Sequence, residues 1–365
     1  MSSFKDWRSR AWLMLLPALA LATPTLAQEL ADTQEPGSVI IFPKFNTGSF
    51  TVHPGTAGQF VAAKTVIEVG TVCPIGVVCA FGDKVNVHFH WVCPPVAGST
   101  ICTETDFVVP FTVDPNGGGD KLTFNPSQIS GEINGTATNL NGGLIPIAPC
   151  PAGYLIGWVV NTNDQPIRFD ALIGDAVQRN SATDLQVTSA YEIQAVGPSD
   201  KGTITLAADG GLPFDGASYK AVTGQLSGDV RFDSDLVEPF GDSFLIFLTL
   251  DVRSEQTNTP TQVQLDFYSQ ENLLSTAWSF TCWGQIRLSN LEPNLTVASM
   301  GHSKGLFVSH QAVDPSGVGR TLLGVVQVTE SNAAGGPPGT PFVKSYTVRP
   351  SNNSVPVPTE FVPSF

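Results

Sequence analysis

The chain has 365 residues, a formal net charge of −14 and only 14% charged side chains. That length accommodates one large or two ordinary domains, each able to bury a core. The acidic balance repels nucleic acid and anionic lipid surfaces and excludes both as partners.

The N-terminus carries Lys5, Arg8 and Arg10, then the apolar run AWLMLLPALALA, then small residues up to Ala27. This is the tripartite form of a secretory signal peptide over residues 1–27, expected to be cut after Ala27. The apolar run falls short of the roughly 20 residues of a membrane helix. No second long apolar run follows. The expected mature chain is secreted, starts at Gln28 and has no membrane span.

From there the chain reads as all-β. Short runs rich in Val, Ile, Phe and Thr are punctuated by Gly, Pro, Asn and Asp, the pattern of strands and turns. Predicted strands cover 38–45, 64–70, 84–92, 106–113, 154–160, 167–174 and 184–196, then 243–252, 261–269 and 321–328. No long stretch has the 3.6-residue apolar spacing of a helix.

The cysteines are Cys73, Cys79, Cys93, Cys102, Cys150 and Cys282. An even number in an exported chain reads as disulfides. Short spacing favours Cys73–Cys79 and Cys93–Cys102, which leaves Cys150 for Cys282. No C-x-x-C pair is present to seed a zinc site.

In the 84–92 strand, alternation puts Val85, Val87, Phe89 and Trp91 on one face and His88 and His90 on the other. Two imidazoles at this spacing chelate a transition metal when a third ligand joins them. Without one they form a polar outer face. The next segment, DPNGGGDKLTFN (114–125), resembles a calcium loop, with Asp114, Asn116 and Asp120 at positions 1, 3 and 7. Asn125 stands where a bidentate Glu is expected, and a Gly-rich hairpin accounts for the same residues. Trp91, Trp158, Trp278 and Trp283 are suited either to stacking on sugars or to packing on adjacent disulfides.

Two halves of the chain share an order of elements. VNVHFH (85–90) aligns with VQLDFY (263–268), and the span Gly153 to Gly174 resembles Gly305 to Gly324. The expected fold is therefore two tandem, disulfide-stapled β-sandwiches of immunoglobulin-like or jelly-roll type. The first covers 28–198 and the second 243–348. A hairpin segment at 199–242 connects them, and 349–365 is a Pro-rich tail.

Gly301–Gly305 reads GHSKG, the G-x-S-x-G frame of a nucleophile elbow, with Ser303 as candidate nucleophile. An elbow needs a strand before the Ser, a helix after it, and an acid and then a His downstream. Here LFVSHQAV alternates like a strand, and His310 precedes Asp314. A Gly-flanked turn fits better. The leading expectation is an exported, non-enzymatic surface or extracellular protein acting by protein interaction or self-association, with no resident cofactor. The alternatives are a carbohydrate-binding module, a Ca²⁺- or transition-metal-binding module, and a serine hydrolase at Ser303.

Overall fold

The computed structural model describes residues 35–364 except 48, 52–59, 81, 114–118, 128–130, 134–144, 181–183, 234–240 and 332–340. The expected signal peptide, Asp114 and Asn116 lie outside the described residues. The chain is nearly all β, and no described helix is long and apolar enough to cross a membrane.

The first half contributes β1 (Val39–Asn46), β2 (Ser49–Thr51), β3 (Phe60–Thr71), β4 (Asp83–Cys93), β5 (Thr103–Val113), β6 (Lys121–Phe124), β7 (Gly131–Ile133), β8 (Ala152–Val160), β9 (Leu172–Asn180), β10 (Asp184–Ser189) and β11 (Tyr191–Ile193). A connector adds β12 (Leu212–Phe214) and β13 (Val222–Thr223). The second half contributes β14 (Leu226–Arg231), β15 (Gly241–Leu248), β16 (Val252–Arg253), β17 (Thr261–Tyr268), β18 (Leu273–Phe280) and β19 (Trp283–Arg287). It continues with α1 (Leu288–Leu291), α2 (Val297–Met300), β20 (Lys304–Ser309), β21 (Leu323–Ser331), β22 (Pro341–Thr347) and β23 (Arg349–Pro350), and ends on β24 (Pro356–Val357) and β25 (Thr359–Val362).

Four main sheets follow. Sheet A has the order β10-β9-β3-β6-β7, with β2 beside β3, and sheet B the order β11-β1-β8-β4-β5. Sheet C runs β22-β21-β15-β19 and sheet D runs β23-β14-β20-β17-β18. Nine strands of each half occur in the same chain order and take the same places. Sheet C repeats β10-β9-β3-β6, and sheet D repeats sheet B strand for strand. The order departs from the immunoglobulin one, in which the first and second strands share a sheet. Here β1 lies beside β8, and β3 is in the other sheet.

The layers stack A, B, C, D, as alternate residues on single strands show. On β1, Ile40 and Phe42 join a core with sheet A, whereas Val39 and Ile41 join a second core with sheet C. On β15, Ile246 and Leu248 enter that second core, and Leu245 and Phe247 enter a third, with sheet D. Sheets B and C are thus covered on both faces. That is why VIIF and FLIFL are continuous apolar runs. Among the described residues no sheet covers the outer face of sheet D, and β17 alternates buried and exposed along its length.

The register refines the internal alignment. Trp91 lies opposite Leu155, and Phe267 lies opposite Phe307. Gly153 and Gly305 hold matching places, each packed under a Phe ring (Phe45, Phe232) and against a carbonyl of the neighbouring strand. Residues 87–92, not 85–90, therefore match 263–268. His90 corresponds to Asp266 and Trp158 to His310.

Three disulfides are formed, and the cysteines pair differently from the expectation in two cases. Cys73–Cys79 closes a local loop as expected. Cys93 bonds Cys150 and Cys102 bonds Cys282, in place of Cys93–Cys102 and Cys150–Cys282. Cys93 ends β4 and Cys150 precedes β8, its neighbour in the sheet. Cys102–Cys282 joins the two halves. The 349–365 tail is also not a loose end. Phe361 is fully buried, β25 pairs with β12 and β16, and β24 pairs with β13.

Candidate functional site

A group of buried and half-buried ionisable side chains lies on sheet B where it meets the tail. His88 and His90 leave β4 on the side away from the sheet A core, as alternation requires. That side is no polar outer face, however: both rings are buried. They stack on Trp158 of β8, with centroids 5.1 and 4.8 Å away, and on each other at 4.6 Å. Phe361 meets His90 and Trp158 edge-on.

The ring nitrogens meet carboxylates of the neighbouring strand β5 and of the turn after β8. His88 Nδ1 lies 2.9 Å from Asp164 Oδ1, and its Nε2 lies 3.3 Å from Asp106 Oδ2. His90 Nδ1 lies 3.0 Å from Glu104 Oε2. Glu104 Oε1 in turn accepts from Ser364 N at 2.6 Å and from Ser364 Oγ at 2.5 Å. Burial lowers the His90 ring below its ordinary value, against the pull of Glu104. Burial pushes the Glu104 carboxyl up, but its bonds to His90 and Ser364 outweigh this, so it ends below the usual carboxylate range. The chemistry available here is anchorage: a histidine and a carboxylate clamp the C-terminal segment onto sheet B. Among the described residues, no group of three or more His, Cys, Asp or Glu side chains is placed to hold a metal ion.

The other candidates are dispersed. Asp120 secures backbone: its Oδ2 accepts from Thr112 N at 2.5 Å, and its own N donates to Thr112 O. Trp91, Trp158 and Trp283 are buried, and only Trp278 is part-exposed. Ser303 is exposed, in the turn between α2 and β20. The helical turn comes before it and the strand after it, the reverse of an elbow. His310 lies beyond the far end of β20, roughly 20 Å on at strand rise. Its Nε2 sits 2.8 Å from Asp266 Oδ2, whose other oxygen accepts from Ser275 Oγ. Both the Ser and the His meet the Asp, so this is no Ser–His–Asp relay.

Two features were missed in the sequence. One is a cleft of about 340 Å³, lined by Asp215, Asp251, Arg253, Thr359 and Glu360 among others, between connector, tail and second half. The pieces come from four separate stretches, and no local pattern announces them. The other is Lys44 of β1, buried between sheets B and C, whose Nζ donates to Gln327 Oε1 of β21. Burial lowers its pKa from 10.5 to about 7. The unfolded chain then binds more protons between those values, so stability falls as pH drops from about 10.5 towards 7. Lys44→Met is expected to flatten that stretch of the curve. Denaturant midpoints at mildly alkaline and neutral pH check this, and an unchanged slope would refute it.

Comparison with protein-family models, with curated proteins and with solved structures finds no match to this chain.

Proposed function

We propose that the chain is an exported, non-enzymatic protein of two tandem β-sandwich units, working by interaction or assembly at a surface or in the extracellular space. The observation that carries this is where the reactive side chains are spent. His88, His90, Glu104 and Lys44 are all buried along the seam between the halves and the tail, where they bond neighbouring structure. The disulfides suit an oxidising compartment. Repeated sandwich units with a shared strand order suit a scaffold that presents surface rather than a reaction centre.

Two measurements test the reading. Protein recovered after export is expected to begin at Gln28, and retention of residues 1–27 would overturn cleavage. Folded protein is expected to take no label from a fluorophosphonate probe. Labelling that disappears in Ser303→Ala would replace the reading with a hydrolase.

A further inference from the structure

Sheets B and D are equivalent and end on equivalent edge strands, β5 and β18. Thr105 lies opposite Trp91 and Leu274 opposite Phe267. Glu104, Asp106, Val108, Pro110 and Thr112 therefore correspond to Leu273, Ser275, Ala277, Ser279 and Thr281. These are the residues whose backbone groups point away from the sheet.

On β5 that edge is closed. Glu255 N donates to Cys102 O at 2.9 Å, and Glu104 N donates to Glu255 Oε1 at 3.2 Å. Pro110 has no N–H to offer. Thr112 is bonded through both its N and its O to Asp120. The side chains of Glu104 and Asp106 add charge. These are the devices that keep an edge strand from pairing.

On β18 the charge and the Pro are absent, and Thr281, just past the strand, has its O bonded to Trp283 N at 2.7 Å. The strand reads LLSTAWSF: eight residues with no charge, no Pro and no Gly. It has β17 on one side and, among the described residues, no strand on the other. Leu273 is 59% exposed and continues a row of exposed apolar side chains through Tyr268 and Leu306. A long, neutral, apolar edge of this kind is a template for another strand.

We infer that β18 is a self-association edge, and that its partner is β18 of a second copy in antiparallel pairing, which joins two copies of sheet D into one ten-stranded sheet. This rests on the interaction reading above and names the partner. Two observations favour a second copy. The chain carries a net charge of −14, so copies repel one another except where a surface is neutral, and β18 is such a surface. The strand is also self-complementary. A two-fold axis at Ala277 sets Leu274 against Phe280 and Thr276 against Trp278 on one face, and Ser275 against Ser279 on the other. Directly opposed apolar and hydroxyl pairs are favourable across antiparallel strands. An isologous contact of this kind closes at two copies.

The test is light scattering of the full mature, oxidised protein over a concentration series. The expected result is a shift from one chain mass to two, with no larger species. Ser279→Pro installs the guard that Pro110 supplies on β5. Ala277→Glu sets two like charges against each other at the axis, from a side chain that is exposed in the single copy. Both variants are expected to stay at one chain mass, with unchanged circular dichroism. If Ser279→Pro fails to fold, Ala277→Glu decides alone. Lys304→Glu, on the same sheet but off the strand, is expected to pair like the parent. A parent protein monomeric at every concentration would overturn self-pairing and leave interaction with other partners standing. Association that survives Ala277→Glu, or that grows without limit, would keep assembly and overturn this edge.

Discussion

Replacing Cys102 and Cys282 together by Ala is expected to lower the unfolding free energy by about 5 kcal/mol, the largest loss of any disulfide here. The bond spans 180 residues, and the freedom that a cross-link removes from the unfolded chain grows with the loop it closes. Cys73–Cys79 closes only 6, and its removal is expected to cost about 2 kcal/mol. Cys102–Cys282 also lies in the core between sheets B and C, beside Trp283. Its loss therefore loosens the contact between halves as well as the unfolded chain. Urea midpoints of the two double variants, at fixed pH and without reductant, give the comparison. Equal losses would show that loop length does not govern stability here.

Phe361→Ala is expected to cost about 3–5 kcal/mol, the usual range for deleting a buried ring. The ring is fully buried, edge-on to His90 and Trp158. The tail is also held by Ser364 on Glu104. Truncation at Phe361 should therefore raise protease sensitivity in the last ten residues as well as lower the denaturant midpoint. Val355→Ala, at an exposed position of the same tail, is the control and is expected to leave the midpoint unchanged. A Phe361→Ala loss as small as the control would mean that the tail is laid on after the core is complete.

The all-β class and most of the long strands were legible because period-two alternation and turn residues are local signals. The paired arrangement of elements was legible too, but its alignment slipped by two residues on β4. A slip of two keeps every side chain on its own face, so hydrophobicity is blind to it. Only the register, anchored by Gly153 and Gly305, resolves it. The burial of His88 and His90 was not legible from β4 itself. The signal lay on the neighbouring strand, where VIIF runs apolar without alternation and so announces a sheet covered on both faces. Disulfide partners two strands or two units apart carry no spacing rule, which is why nearest-neighbour pairing failed for Cys93 and Cys102. The strands of the tail were not legible because Pro and Asn, abundant there, mark loops in sequence. In the structure they lie within and between three short strands, the last of which carries the buried Phe361.

Sheet C, the counterpart of sheet A, meets sheet B, so the two halves join through unlike faces. A contact between unlike faces repeats into a ring or a fibre unless its ends are altered. The ends are altered. Where sheet C buries Ile246, Val325 and Trp283, sheet A carries Glu68, Asp175 and Lys121, with Lys121 Nζ 2.6 Å from Glu68 Oε2. Where sheet B buries Val39, Ile41 and Trp158, sheet D carries Gln225, Ser227 and His310. At each of these places the outer face carries a charged or polar side chain where the contact between sheets B and C uses an apolar one.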